Sequence, residues 1–170
     1  MRKHEQEPSK TVLEYLVMIN EQSYSGIGRQ LQITPQQFSD WIKKRRPIPQ
    51  ERLQALAEYF GIDGAVFADS SYFAKPMTPL GKISLHILLV DQKVAQLEKE
   101  QAAEEDIEPY RAKKTRLLKQ KVDQERMDRV AALLQQEDER IGRILDIVLA
   151  ELDEGQIEEL GVKLKIGENR

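Results

Sequence analysis

The stretch from Ser23 to Pro49, SYSGIGRQLQITPQQFSDWIKKRRPIP, constrains the fold more than any other part of the chain. Ser23 can cap a helix running to about Leu31, with Ile27 and Leu31 at i, i+4 spacing on its inward side. Thr34 can cap the next helix, and Pro35 stands at its first position, where a missing N–H costs nothing. Phe38, Trp41 and Ile42 lie at 0, +3 and +4 on one face of that helix. Two helices this short are marginal alone in water. They must pack on each other across a tight turn and share a core supplied by their neighbours.

The neighbours supply it in helical spacing. Ser9 is a candidate N-cap, Thr11 and Glu14 have capping-box spacing, and Val12, Leu13, Leu16, Val17 and Ile19 form an apolar stripe over Lys10 to Asn20. Gly26 and Gly28 weaken the second helix in isolation by about 1 kcal/mol each, so packing must hold it, and Gly28 is expected to permit close approach of a neighbouring helix. Past Pro47-Ile48-Pro49, residues Gln50 to Phe60 place Leu53, Leu56, Ala57 and Phe60 inward and stop at Gly61. Asp63 to Ala68 can add a short fifth helix, with Val66 and Phe67 closing the core.

On the outer side of the third helix stand Gln36, Gln37, Asp40, Lys43 and Lys44. Two glutamines on an exposed first turn suit base edges in a major groove, because a side-chain amide can bond adenine N6 and N7 together. Lys43, Lys44, Arg45 and Arg46 then form a contiguous basic run. The net charge of −3 argues weakly against a polyanionic partner, but its distribution matters more. Residues 1–70 carry 9 Lys and Arg against 9 Asp and Glu; residues 71–170 carry 17 against 20 and hold the whole deficit. Screening confines the field of the basic run to about 10 Å, so the local patch decides.

The motif Ile27-Gly28-x-x-Leu31-x-Ile33-Thr34-x-x-x-Phe38-Ser39-x-Trp41, with the basic Pro-x-Pro link and the apolar helix ending Tyr-Phe-Gly-Ile-Asp, resembles phage-repressor-like (Cro-like, XRE-type) helix-turn-helix regulators. The likeness covers about residues 10–69. This chain departs from the family at three places: Gly28 stands where Ala is usual, Gln32 where the turn usually has Gly, and Lys44 where a glycine commonly ends the recognition helix. The resemblance implies that the third helix enters the major groove while the second lies across the backbone. It places Pro35, Gln36 and Asp40 at base-facing positions, with Gln37 and Lys43 beside them. Ser23, Tyr24, Thr34, Lys44, Arg45 and Arg46 are then the candidate phosphate contacts. Trp41 belongs to the core rather than to a base stack.

The remainder of the chain reads as machinery for assembly. DSSYFAKPMT has little periodicity and predicts a linker over residues 70–77. Thr78 caps a helix in which Leu80, Ile83, Ile87, Val90, Val94 and Leu97 recur at spacings of 3 and 4, an a/d seam shorter than a confident coiled coil and suited to a bundle. An acidic stretch predicts a turn within residues 103–108, and a second long helix from Pro109 carries Tyr110, Leu117, Leu118, Val122, Val130, Leu133 and Leu134. Gln135 to Glu139 is either a solvated part of one helix or a break. Ile141, Ile144, Leu145, Val148 and Leu152 make a further stripe up to Gly155, and the alternation of Val162, Leu164 and Ile166 suggests a brief strand. Long amphipathic helices with only 6 % aromatic residues in the chain gain most by packing on another copy.

The expected architecture is all-α: a flexible segment 1–9, a lambda-repressor-like domain over 10–69, the linker, a helical oligomerisation domain over 78–154 and a tail from 155 to 170. The expected partners are double-stranded operator DNA and further copies of the chain, as a homodimer or homotetramer, with an antirepressor protein as a further candidate. Without cysteine there are no disulfides or thiolate metal sites, and with no long apolar run or apolar leader a cytoplasmic protein is expected. No catalytic, metal or cofactor constellation is legible: His4 lies near the terminus, and His86 reads as a packed or partner-bonded imidazole on an apolar helix. A helical tail of this kind does not resemble the strand-rich self-cleaving domain of some phage-type repressors. The expectation is a DNA-binding repressor, and the rival is a helical adaptor or antitoxin-like protein whose first domain is a scaffold.

Overall fold

The computed structural model describes residues 10–20 and 23–164. The protein is all-helical, and among the described residues the only β-type pairing is two isolated antiparallel bridges, Thr11 with Pro76 and Ala68 with Ala74. The chain divides into two compact units, one reaching to Lys121 and one beginning at Val122.

Five short helices open the first unit: α1 (Val12–Ile19), α2 (Tyr24–Leu31), α3 (Pro35–Ile42), α4 (Gln50–Phe60) and α5 (Gly64–Phe67). Four start on a side-chain cap. The oxygens of Thr11, Ser23, Thr34 and Asp63 accept from the backbone N–H groups of Glu14, Gly26, Gln37 and Ala65. Thr11 thus performs the capping of α1, and the other expected cap, Ser9, lies outside the described residues. Phe38, Phe67, Leu13, Leu16, Ile27, Ile48 and Leu56 are the largest fully buried side chains. Each contributes on the order of 1.5–3 kcal/mol by leaving water.

Residues 70–77 do not form the free linker expected from their lack of periodicity. Their backbone is stitched to the five-helix core: Val12 N–H donates to the Lys75 carbonyl at 2.9 Å, Met77 N–H to Lys10 at 2.6 Å, Lys75 N–H to Phe67 at 2.9 Å and Ile48 N–H to Tyr72 at 2.8 Å. The Asp69 carboxylate holds the bend by accepting from Ser71 and Phe73 N–H at 2.9 and 3.0 Å. Ala74 is completely buried. Pairing with distant backbone leaves no trace in side-chain spacing, which is why the segment reads as a linker.

α6 (Pro79–Lys99) begins on the Thr78 cap and belongs to the same body. Leu85 joins the buried core, with Met77, Leu88 and Leu89 packed against it. The expected seam is therefore largely covered within one chain: Val90 is buried, and Leu80, Ile83, Ile87, Val94 and Leu97 are half-buried. α7 (Glu104–Leu134) starts five residues before the expected Pro109, which it carries in its second turn. Glu104, Glu105 and Asp106 favour that earlier start by complementing the helix dipole. Arg111 bridges Glu98 at 2.9 Å and Lys114 bridges Asp91 at 2.7 Å, tying α7 to α6.

In the second unit a break separates α7 from α8 (Glu139–Asp153), with Glu137 at φ 56° and the Asp138 carboxylate accepting from Arg140 N–H at 2.9 Å. α9 (Ile157–Lys163) replaces the strand expected around Val162 and Leu164, and Ile166 lies outside the described residues. Lys163 reaches Glu151 at 3.0 Å. Little else is buried: α8 has no buried residue, and Leu160 of α9 is the one buried apolar side chain described in this unit. Met127, Leu134, Ile144, Ile147, Leu149 and Ile157 are all more than half exposed.

Candidate nucleic-acid interface

α2 and α3 are joined by a turn of unusual chemistry. α2 ends on Gln32 in the left-handed region, φ 54°, a conformation that costs an L-residue roughly 1–2 kcal/mol. Ile33 N–H donates to the Gly28 carbonyl at 2.8 Å, and a Cβ on Gly28 would lie 2.3 Å from the Ile33 carbonyl oxygen. Gly28 therefore permits an approach of the turn rather than of a neighbouring helix. Arg52 of α4 clamps the same turn, its guanidinium donating to the Leu31 carbonyl at 2.8 Å. Arg52 escapes sequence reading because an arginine on an amphipathic helix looks like any solvated charge.

α3 is held from both ends. The Thr34 hydroxyl accepts from Gln37 N–H at 3.2 Å, and the Gln37 side-chain oxygen accepts from Thr34 N–H at 2.8 Å, a full capping box. Its inner face buries Phe38 and Trp41, whose rings meet edge to face at 5.7 Å, while Tyr24 packs on Phe38 at 5.5 Å. Trp41 is a core residue, 3 % exposed. At the far end Lys44 takes φ 55°, in the place where a glycine would sit without strain, and Arg45 N–H closes back on the Asp40 carbonyl at 2.8 Å.

The candidate base readers fall on one surface. Pro35, Gln36, Gln37 and Lys43 are exposed. Asp40 is withdrawn, with its side chain 14 % exposed. It accepts from the Gln36 amide nitrogen at 2.9 Å and faces Arg45 and Arg46 at 3.8 and 3.9 Å. The two glutamines thereby separate in character. Gln37 has its oxygen committed to the cap, whereas Gln36 keeps its oxygen free and is restrained only by an exposed contact.

Of the candidate phosphate contacts, Ser23, Thr34, Lys44, Arg45 and Arg46 are exposed and Tyr24 is half-buried. Burial, and then the charge of Glu14, push the Tyr24 hydroxyl above its ordinary range, so it stays a hydrogen-bond donor at neutral pH. The Arg45 and Arg46 side chains are 59 and 78 % exposed. Surface pairs of that kind are worth under about 1 kcal/mol, so an incoming anion can replace Asp40 as their partner.

Among the described residues no group of three or more His, Asp or Glu could hold a metal, and no helix is long and apolar enough to cross a membrane. The chain matches no protein-family model, no curated protein and no solved structure.

Proposed function

We propose that the protein is a sequence-specific DNA-binding transcriptional regulator, a repressor that binds repeated half-sites as a homo-oligomer. The observation that carries it is the presentation of α3: a capped, core-anchored helix with Gln36, Gln37 and Lys43 on its open face and four cations at its end. Phosphate contacts from the basic run position such a helix, and amides facing the groove discriminate sequence. One surface of this size reads few base pairs, so useful discrimination needs a second copy at a half-site a turn away, about 34 Å, or a multiple.

Gln36→Ala separates reading from positioning, because Gln36 takes no part in the cap. The expected result is roughly a tenfold loss on the chosen site with random DNA little affected, in the range of one base contact. Arg45→Ala with Arg46→Ala weakens both and lowers the salt slope by about 2. Equal loss on both DNAs from Gln36→Ala would sink the base-reading role.

The exposed apolar side chains of the second unit give the adaptor or antitoxin-like alternative its specific support, since a different protein could cover them. Light scattering decides between these partners. An oligomer supports self-association, and a monomer at micromolar concentration favours the adaptor.

A further inference from the structure

On the first unit, α1, α6 and the first part of α7 line an open cavity of about 310 Å³, at the small end of the range for ligand sites. Its apolar lining comes from Ile19, Leu89 and Val90. Its uncharged polar groups are Tyr15 of α1, Asn20 at the end of α1, whose amide donates to the Leu16 carbonyl at 2.8 Å, His86 of α6 and Tyr110 of α7, with the Tyr15 hydroxyl 2.8 Å from His86 Nε2. Lys93, half-buried on α6, and Lys113, exposed on α7, complete the wall. Among the described residues no carboxylate lines the cavity, and Asp91, next to Val90 in the chain, is engaged by Lys114. Among the described residues neither Lys93 nor Lys113 has a carboxylate within ion-pair distance.

The local field is correspondingly positive. His86 is held below its ordinary range by burial first, then by Lys113 and Lys82. The Lys82 ammonium also lies 5.4 Å from the Tyr15 ring centre. Two unneutralised ammonium groups, a phenol–imidazole pair and a small apolar floor suit one ligand chemistry: a negative head on a compact apolar body.

We propose that this cavity binds a small organic carboxylate, its anionic head between Lys93 and Lys113 and its apolar part on Leu89 and Val90. The site does not depend on whether the chain binds DNA. A ligand there touches α1, which also packs against the recognition surface's core, and both long helices of the same body.

Calorimetric titration of the full chain with benzoate, phenylacetate and isovalerate tests it, with benzamide as the uncharged counterpart of benzoate. At least one carboxylate is expected to saturate at one site per chain, with benzamide about tenfold weaker or worse. Lys93→Gln with Lys113→Gln brings the carboxylate down to the level of the amide, while circular dichroism confirms that the variant is folded. In the unaltered chain the carboxylate also raises the pH at which the His86 imidazole titrates by NMR, because an anion beside it offsets Lys113 and Lys82. Saturation by none of the three carboxylates, equal affinity for benzoate and benzamide, or an unmoved His86 titration would each overturn the assignment.

Discussion

The helices around α3 and those beyond Val122 use the same local grammar and reach opposite ends. Both have capped starts: Thr34 before α3, Asp138 before α8. Around α3 the apolar residues close on one another, so that Phe38 is 1 % exposed. On α8 a stripe of comparable quality leaves Ile144 61 % and Leu152 40 % exposed. Caps and periodicity decide that a helix forms; burial depends on what lies opposite. The second unit supplies too few partners for its own stripes, and Ile147 too stays 62 % exposed.

That contrast can be broken by cutting one large side chain in each region. Phe38→Ala empties a closed core and should destabilise the chain by about 3–5 kcal/mol in chemical denaturation. Ile147→Asp should leave the helical signal nearly unchanged and instead lower the mass seen by light scattering. A Phe38→Ala cost below about 1 kcal/mol, or an unchanged mass for Ile147→Asp, would erase the distinction between the regions.

A smaller effect is expected at the turn between α2 and α3. The Gly28→Ala change puts a Cβ against the Ile33 carbonyl and should cost about 1–3 kcal/mol, even though alanine is what the resembled family usually carries there. Smallest of the four, Gln32→Gly relieves a left-handed non-glycine residue and should raise stability by up to about 1 kcal/mol. If the alanine is harmless and the glycine destabilises, the turn does not have the geometry described.

Much of the first region was legible because its signals are local. Ser23, Thr34 and Gly61 mark ends that the chain obeys, and the 0, +3, +4 spacing of Phe38, Trp41 and Ile42 assigns core and surface correctly. What failed was non-local. The strap over residues 70–77 is fixed by backbone bonds to Lys10, Val12, Ile48 and Phe67, and none of these leaves a pattern in the strap itself. The α6 seam reads equally well as a face for another copy or for the chain's own core, and Leu85 shows that the core takes part of that helix. Around α3, residue type and spacing placed Gln36 and Gln37 outward, but only the structure shows Gln37 serving the cap and Asp40 gathering Gln36, Arg45 and Arg46.

We propose that α3 reads DNA sequence in a protein that carries more than one copy of it. Selection of bound duplexes from random DNA by the full chain tests this most directly. Enrichment of a short half-site repeated at a spacing near one helical turn, about 10–10.5 base pairs, or a multiple, is expected. Recovery of sequences with no shared half-site, after rounds that demonstrably retain protein, would contradict it.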